Sequence, residues 1–373
     1  MSKIAFLVTE DWYFVSHRMR LGIEARKAGY EVVVITRCRE HIKQIESTGL
    51  RVLSLAINRR SLNPLVLMRE ILQVIRIYLS ERPDIVHHVA LKPVLVGGIA
   101  ARVAGIRNVV SAFAGMGFLF TSNRRNSVLA GALKGLIPWL VGNGSAIVQN
   151  SEDADFLASC RISKKKIRLV RGAGVNIEKY RPKEKNRNDL LVIMASRLIL
   201  DKGLVEFVNA ARIIKESRRR VRFALIGKQD PDNPSSVSNT LLRAWVEEGV
   251  VEAWGYCASM HEILPVASIF CLPSYYREGI PKVLLEAMAC GLPCVTTDSP
   301  GCRDAVRHQD NGLLVPIKDY SALAIAIRRL LDDENLRKNM GRRGRERAVM
   351  EFSEHVVITQ TLGVYGELLA GRS

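Results

Sequence analysis

The 373-residue sequence contains no apolar run long enough to cross a bilayer. Its longest, "VLAGALKGLIPWLVG" (128–142), is broken by Lys134 and Pro138 and falls short of the ~20 residues a spanning helix needs. The opening "MSKIAFLVTED" turns acidic at once and shows no cleavage site, so no signal peptide is expected. None of the seven cysteines stands in a C-x-x-C pair, which suits reduced thiols in a cytoplasm. Cys290, Cys294 and Cys302 lie near one another, but no histidine joins them at metal-ligand spacing, and no zinc site is expected. No repeat of 20–50 residues is present, which excludes a solenoid. Acidic side chains are absent from residues 101–150, which carry five basic ones.

That last absence belongs to a wider asymmetry. Residues 1–180 hold 27 Lys+Arg against 13 Asp+Glu, a net +14, whereas residues 181–373 hold 28 against 24, a net +4. A basic first half suits an anionic partner such as a nucleic acid, an acidic lipid or a diphosphate. Hydrophobic content of 48% and charged content of 25% are those of a globular protein with a large core.

Apolar strands alternate with helices throughout. Strands are expected at 3–9, 30–37, 52–57, 84–90, 107–115, 146–150 and 167–174, then at 190–197, 221–227, 250–256, 267–274, 293–299 and 312–316. Buried strands separated by helices imply parallel sheets covered on both faces. The polar "YRPKEKNRNDL" (180–190) reads as a linker. The expectation is therefore an α/β chain of two doubly wound, Rossmann-like domains, 1–180 and 181–350, facing across a cleft lined by the carboxyl ends of both sheets. An amphipathic tail, 351–373, is expected to cross back over the first domain.

"YYREGIPKVLLEAMACG" (275–291) lies between two such strands and opens a helix at a sheet's carboxyl end. Pro281 suits the first helical position, where its missing N–H costs nothing. Gly279 allows close backbone approach, and the N–H groups around Ile280 to Val283 form, with the helix dipole, an anion site. Glu278 sits in the loop. Glu286 stands among Leu284, Leu285, Ala287 and Met288, where a carboxylate is costly unless it is engaged. One carboxylate accepting two hydroxyl hydrogen bonds suits a ribose diol or a sugar, and with the anion site this points to a nucleotide sugar. The plainer alternative is a surface Glu278 and a snorkelling Glu286. In "ASRLILDKG" (195–203), Arg197 and Lys202 flank a strand-end loop and can both face one diphosphate, stabilising charge on a departing nucleotide.

The order "SRLILDKG", "WGY", "PSYYREGIPKVLLEAMACGLPCVTTDSPGCRDAV", "NGLLVP" resembles the second domain of the family-four retaining glycosyltransferases of GT-B fold. The resemblance extends over nearly the whole chain, with "GAGVNIEKYRP" similar to the domain junction and the two glutamates matching that family's Glu, seven residues, Glu motif. "RRSLNPLVLMRE", "GMGFLF" and "REGIPKVLLEA" are similar to stretches of the N-acetylgalactosaminyltransferases that extend undecaprenyl-diphosphate-linked sugars. The resemblance implies that Arg197 and Lys202 hold the donor diphosphate and Glu286 its ribose. It implies that Glu278, with the backbone at Gly279 and Ile280, meets the donor sugar, and that Gly255 and Tyr256 line a uracil pocket. It further implies a UDP-sugar donor, a polyprenyl-diphosphate-linked saccharide as acceptor, and no metal cofactor.

In the first half, many members carry a Gly-Gly pair after the first strand; "TEDWYFVSHRMR" (9–20) has none, leaving His17 and Arg18 as candidates on the acceptor side. His88, closing "DIVHHVA", is placed like the family histidine that faces the acceptor, with His87 turned to the other side of the strand. "FAGMGFLFTSNRR" (113–125) offers Gly115 and Gly117, then Arg124 and Arg125. With the helix that follows it reads as an apolar and basic face for the inner-membrane surface, to which Arg59, Arg60 and Lys92 would add. A peripheral position on the cytoplasmic face of the inner membrane is expected.

Asp153 and Asp155 imitate an acidic metal motif but fall in a helix's first turn, where acids suit the dipole. "GAG" (172–174) lacks the third glycine of a dinucleotide fingerprint. Two other functions remain on these residues: a nucleotide-sugar epimerase or hydrolase on the same fold, and a basic nucleic-acid-binding protein, for which no recognition motif is found.

Overall fold

The computed structural model describes residues 1–58, 61, 63–116, 124–183, 190–218, 220–231, 233–276 and 278–371. Two compact units form: Met1–Ala173 with His355–Ser373, and Gly174–Glu354. Residues 174–180 therefore fold with the second unit rather than closing the first. Val175 bridges Ser353, and the Arg345 guanidinium donates to the carbonyls of Ile177 at 3.0 Å and Tyr180 at 2.7 Å.

The first unit holds a seven-stranded parallel sheet of β1 (Lys3–Glu10), β2 (Glu31–Arg37), β3 (Arg51–Ser54), β4 (Ile85–Val89), β5 (Val109–Phe113), β6 (Ser145–Val148) and β7 (Ile167–Leu169). Their order is β3-β2-β1-β4-β5-β6-β7, so the winding reverses between β1 and β4. Along β1, Ile4, Phe6 and Val8 enter one core, while Ala5 and Leu7 enter another on the opposite face. That is the physical reason the strand reads as a continuous apolar run. The helix Glu354–Ala370 brings Val357, Ile358, Val364 and Tyr365 into the first of these cores.

The second unit holds a six-stranded parallel sheet of β8 (Leu191–Ala195), β9 (Arg222–Ile226), β10 (Glu252–Gly255), β11 (Ile269–Leu272), β12 (Cys294–Thr297) and β13 (Gly312–Val315). Its order is β10-β9-β8-β11-β12-β13, with the reversal between β8 and β11. In a doubly wound sheet the loops leaving the carboxyl ends of such a pair diverge to opposite faces and open a crevice.

Two glycines fix those loops. Gly203, at φ +82°, ends the short turn Leu200–Lys202, and a Cβ there would lie 2.1 Å from the Pro273 carbonyl oxygen. Gly301, at φ +78°, would meet the Gly279 carbonyl oxygen at 2.2 Å. Gly203→Ala is expected to cost at least ~2 kcal/mol, left-handed strain and a backbone clash together, and to lower turnover by displacing Lys202. A thermal melt and an activity assay check it; an unchanged melting temperature refutes the packing argument.

Candidate active site

The loops after β8, β9, β10 and β11 meet along one edge of the second sheet. Arg197 follows β8 and donates through Nη1 to Asp230 Oδ2, in the loop after β9, at 2.6 Å. Lys202, with its side chain 8% exposed, pairs through Nζ with Glu278 Oε1. The same ammonium stands 5.7 Å from the centre of the Tyr276 ring. The Asp201 carbonyl accepts from the backbone N–H groups of Tyr275 and Tyr276, both at 3.1 Å, so the Lys202 turn and the loop after β11 are bound to each other.

The loop after β11 is also held from its other side. The Ser274 carbonyl accepts from Ser299 Oγ at 3.1 Å and from Thr297 Oγ1, which project from the end of β12. Beyond Glu278, Gly279 and Ile280 are buried and Val283 is half-buried. Pro281 is the N-cap of the helix Lys282–Ala289 rather than its first helical residue, and it supplies no capping side chain. The Gly279 carbonyl lies against Gly301, where only a glycine leaves room for the turn to close.

Glu286 lies inside the helix, 9% exposed. Burial raises its carboxyl pKa, opposed by the Lys282 ammonium and by a hydrogen bond with the Tyr180 hydroxyl. Lys282 Nζ is 3.9 Å from Glu286 Oε1, one helical turn away. The plainer alternative does not hold: the glutamate does not snorkel, and its two partners oppose the burial cost without cancelling it. At β10's end, Gly255 takes φ +71° and its carbonyl accepts from Gly227 N–H at 2.8 Å. Tyr256 is 68% exposed, with Lys228 Nζ 5.3 Å from its ring centre. Arg197, Lys202, Glu278, Gly255 and Tyr256 thus stand at the carboxyl ends of strands of one sheet, with Glu286 in the helix that follows Glu278.

Sequence reasoning missed Asp230, Tyr180, Lys228, Ser299 and Thr297. Only "GKQD" after β9, a glycine-led turn carrying a cation and an anion, gave any local sign of the first two loops meeting.

The first unit departs further from expectation. His88 is fully buried: its Nε2 lies 2.9 Å from the Tyr78 hydroxyl, and a Cβ on Gly97 would sit 2.6 Å from its ring. Burial pushes its pKa down to about 3. In this position its ring is enclosed within the first unit by Tyr78 and Gly97. Tyr78→Phe is expected to strip its hydrogen bond and cost about 1–3 kcal/mol with kcat unchanged; a loss of kcat at full stability would restore a catalytic part to His88.

Its neighbour His87 points to the opposite face, Nδ1 2.5 Å from the Tyr365 hydroxyl on the C-terminal helix. Burial, then Arg18 and His88, hold the His87 pKa well below its usual value. Arg18 is itself only 6% exposed, turned into the fold. His17 stacks on Tyr13 at 4.2 Å and shares a 2.6 Å hydrogen bond with Ser16.

Where the Gly-Gly pair is missing, the buried Asp11 carboxylate accepts from the backbone N–H groups of Trp12, Arg39 and His41 at 2.7, 2.7 and 3.0 Å. Burial alone would raise its pKa; those three donors outweigh it and hold the carboxyl below its usual range. The position ties the loop after β2 to the start of the helix Asp11–His17 that follows β1. Gly115 follows β5 at φ +109°. Gly117 lies outside the described residues, as do Arg59 and Arg60, and of Arg124 only its place at the start of the helix Arg124–Val141 is described. Lys92 does not add to a basic face: Nζ lies 2.9 Å from the buried Glu70 carboxylate and 2.9 Å from the Ser61 carbonyl oxygen. Asp153 is engaged at a helix start by Asn150 through two hydrogen bonds of 2.7 and 3.0 Å.

Residues 176–347 match the family "Glycosyl transferases group 1", and residues 3–151 match "Glycosyl transferase 4-like". The chain belongs to the family-four glycosyltransferases. It is a glycosyltransferase of GT-B fold. It is 27% identical, over 91% of its length and 92% of the other, to the N,N'-diacetylbacillosaminyl-diphospho-undecaprenol alpha-1,3-N-acetylgalactosaminyltransferase of Campylobacter jejuni. It is 28% identical, over 72% of both chains, to the UDP-Gal:alpha-D-GlcNAc-diphosphoundecaprenol alpha-1,3-galactosyltransferase of Escherichia coli. The structure of Anabaena HepE in complex with UDP and glucose shares the fold, with a TM-score of 0.79 at 17% identity, covering 98% of this chain and 100% of that one.

Proposed function

We propose that this glycosyltransferase moves a sugar, an N-acetylhexosamine or hexose, from a UDP donor to a lipid-diphosphate-linked saccharide in surface polysaccharide or glycan assembly. The observation that carries the reading is that Lys202, in the loop after β8 that also holds Arg197, pairs with Glu278, in the loop after β11 whose helix carries Glu286. The Campylobacter and Escherichia relatives, named for undecaprenyl-diphosphate acceptors, supply the acceptor class.

Three cations there already have a carboxylate partner: Arg197 with Asp230, Lys202 with Glu278, Lys282 with Glu286. A donor diphosphate would take over Arg197 and Lys202, release Glu278 towards the sugar, and leave Glu286 to accept from the ribose hydroxyls. Tyr256 would stack on the uracil. The acceptor oxygen bonds to the anomeric carbon on the face that UDP vacates, which retains configuration. The bond to the diphosphate breaks with its electron pair going to UDP, and the hydroxyl proton passes to the departing phosphate oxygen. Arg197 and Lys202 stabilise the charge that builds there, with no metal required. The protein would work at the membrane surface from the cytoplasmic side, since its acceptor is carried by a lipid and its donor is a water-soluble nucleotide sugar.

Labelled UDP-N-acetylhexosamines and UDP-hexoses, incubated in EDTA with undecaprenyl-diphosphate-linked acceptors, test this directly. Label entering the lipid phase supports it. Donor consumed without acceptor makes the protein a hydrolase or epimerase, and absence of UDP binding removes the donor site.

A further inference from the structure

The helix Pro64–Glu81 buries Glu70, Val74 and Tyr78 on one side. Its opposite side is apolar too. Leu65 is 71% exposed, Met68 55%, Leu72 49% and Leu79 54%. The spacings of three, four and seven residues set these four side chains in one stripe along the helix, covering ~21 Å at 1.5 Å per residue. Arg69 and Arg76 are exposed within the same stripe, one helical turn beyond Leu65 and Leu72 respectively. Neither arginine forms an ion pair with a described acidic residue, and no acidic side chain lies in the stripe. The helix's remaining acid, Glu81, is held by Lys3 at 3.2 Å and by Arg51.

Both ends of the helix are fixed in advance. Asn63 Oδ1 accepts from Leu65 N–H at 2.9 Å, Pro64 begins the first turn, and Arg82 closes the last in a left-handed conformation, its N–H on the Tyr78 carbonyl at 2.9 Å. Underneath, the buried Glu70 accepts from Asn58 N–H at 2.7 Å and pairs with Lys92. The stripe is therefore preformed and rigid, so covering it costs little ordering.

We propose that this face docks the protein on an anionic lipid surface, with the four apolar side chains entering the headgroup boundary and Arg69 and Arg76 meeting lipid phosphates. The inference rests on the reading above, that the acceptor is carried by a lipid. Charge decides for a bilayer over a second copy of the chain. Two such helices laid antiparallel would set Arg69 and Arg76 against one another, a like-charged pairing. The flanking positions on the other side of the stripe, Ile71 and Tyr78, are turned into the core and can supply no counter-charge. An interfacial helix with an apolar stripe edged by arginine is the arrangement that anionic headgroups favour. The +14 charge of residues 1–180 adds attraction of the same sign.

The test is flotation of the full chain with phosphatidylglycerol-containing vesicles and with pure phosphatidylcholine vesicles, beside transfer to a short-chain, water-soluble lipid-diphosphate acceptor. The wild type is expected to float with the anionic vesicles only. Arg69→Glu with Arg76→Glu should lower the partition coefficient by about thirtyfold or more. Serine at Leu65, Met68, Leu72 and Leu79 together should reduce flotation to background. Both variants should keep wild-type transfer to the soluble acceptor, which shows that they fold. Flotation of either variant at the wild-type level overturns the proposal. So does a wild type that ignores anionic vesicles, or one that sediments as a dimer which the serine variant dissociates. Loss of soluble transfer by the wild type would instead remove the functional reading.

Discussion

Replacing Lys202 by methionine is expected to lower kcat by about 10²–10³-fold, the range seen when one fixed donor to a developing charge is removed. The lysine is suited to this work because little else about it can move. Its side chain is 8% exposed, its ammonium is held by Glu278, and its turn is locked by Gly203 against the Pro273 carbonyl. A cation kept in a half-dry site needs no rearrangement as charge builds on the leaving diphosphate. The competing explanation makes Lys202 merely the counter-ion of Glu278, and a second substitution separates the two. Adding Glu278→Gln to Lys202→Met removes the stranded carboxylate. It is expected to recover the lost melting temperature but not the turnover. Recovery of both together would make the pair structural and remove Lys202 from the chemistry.

Glu286→Gln is expected to reduce kcat/KM for the UDP-sugar by about 10²-fold, the loss of charge-assisted hydrogen bonds to two hydroxyls. At the same time it should stabilise the protein at neutral pH. Burial raises the Glu286 pKa, so the folded state holds this carboxyl's proton more tightly than the unfolded chain does. A group raised in this way favours folding below its unfolded pKa, and that contribution is lost as the pH rises through the folded value. Above the folded value the ionised carboxylate bears its burial cost, which glutamine avoids. Towards acid pH the carboxyl is protonated in the folded state and the two proteins converge. Melting temperatures across that range, together with donor kinetics at pH 7.5, check both halves. A variant that is less stable at pH 7.5 and still turns over normally would mean that Glu286 is a core residue engaged by Tyr180 and Lys282 and nothing more.

These two residues differ in how far they could be read without a structure. Glu286 was conspicuous because its neighbours in the chain are apolar, and a charge there demands a purpose. Lys202 was conspicuous only by its distance from Arg197. Neither Arg197 nor Lys202 carries any local trace of its partner: Asp230 is 33 residues from Arg197, and Glu278 is 76 from Lys202. Ion pairs at such separations are set by which strand ends are neighbours, and the order β10-β9-β8-β11 is not written in any local pattern.

His88 shows the limit of position without environment. Alternation along β4 correctly sets it opposite His87, but alternation says nothing about what covers each face. Tyr78 and Gly97 enclose one ring, Tyr365 and Phe6 the other. Lys92 was likewise counted with a basic surface until the buried Glu70, 22 residues away in the chain, claimed it.

What the sequence by itself determined was the succession of strands, the two doubly wound units, the loops that carry Arg197, Lys202 and Glu278, and the helix that carries Glu286. Strand burial and helix starts are local, and hydrophobic pattern and turn chemistry record them. The tertiary structure alone decided which charges are paired, which histidines are enclosed, and which side of the helix Pro64–Glu81 is left apolar and bare. A helix that is apolar all round looks the same in sequence whether one face or both are covered. Only the packing of the sheet beneath it, through Val74 and Tyr78, determines which residues remain for another surface.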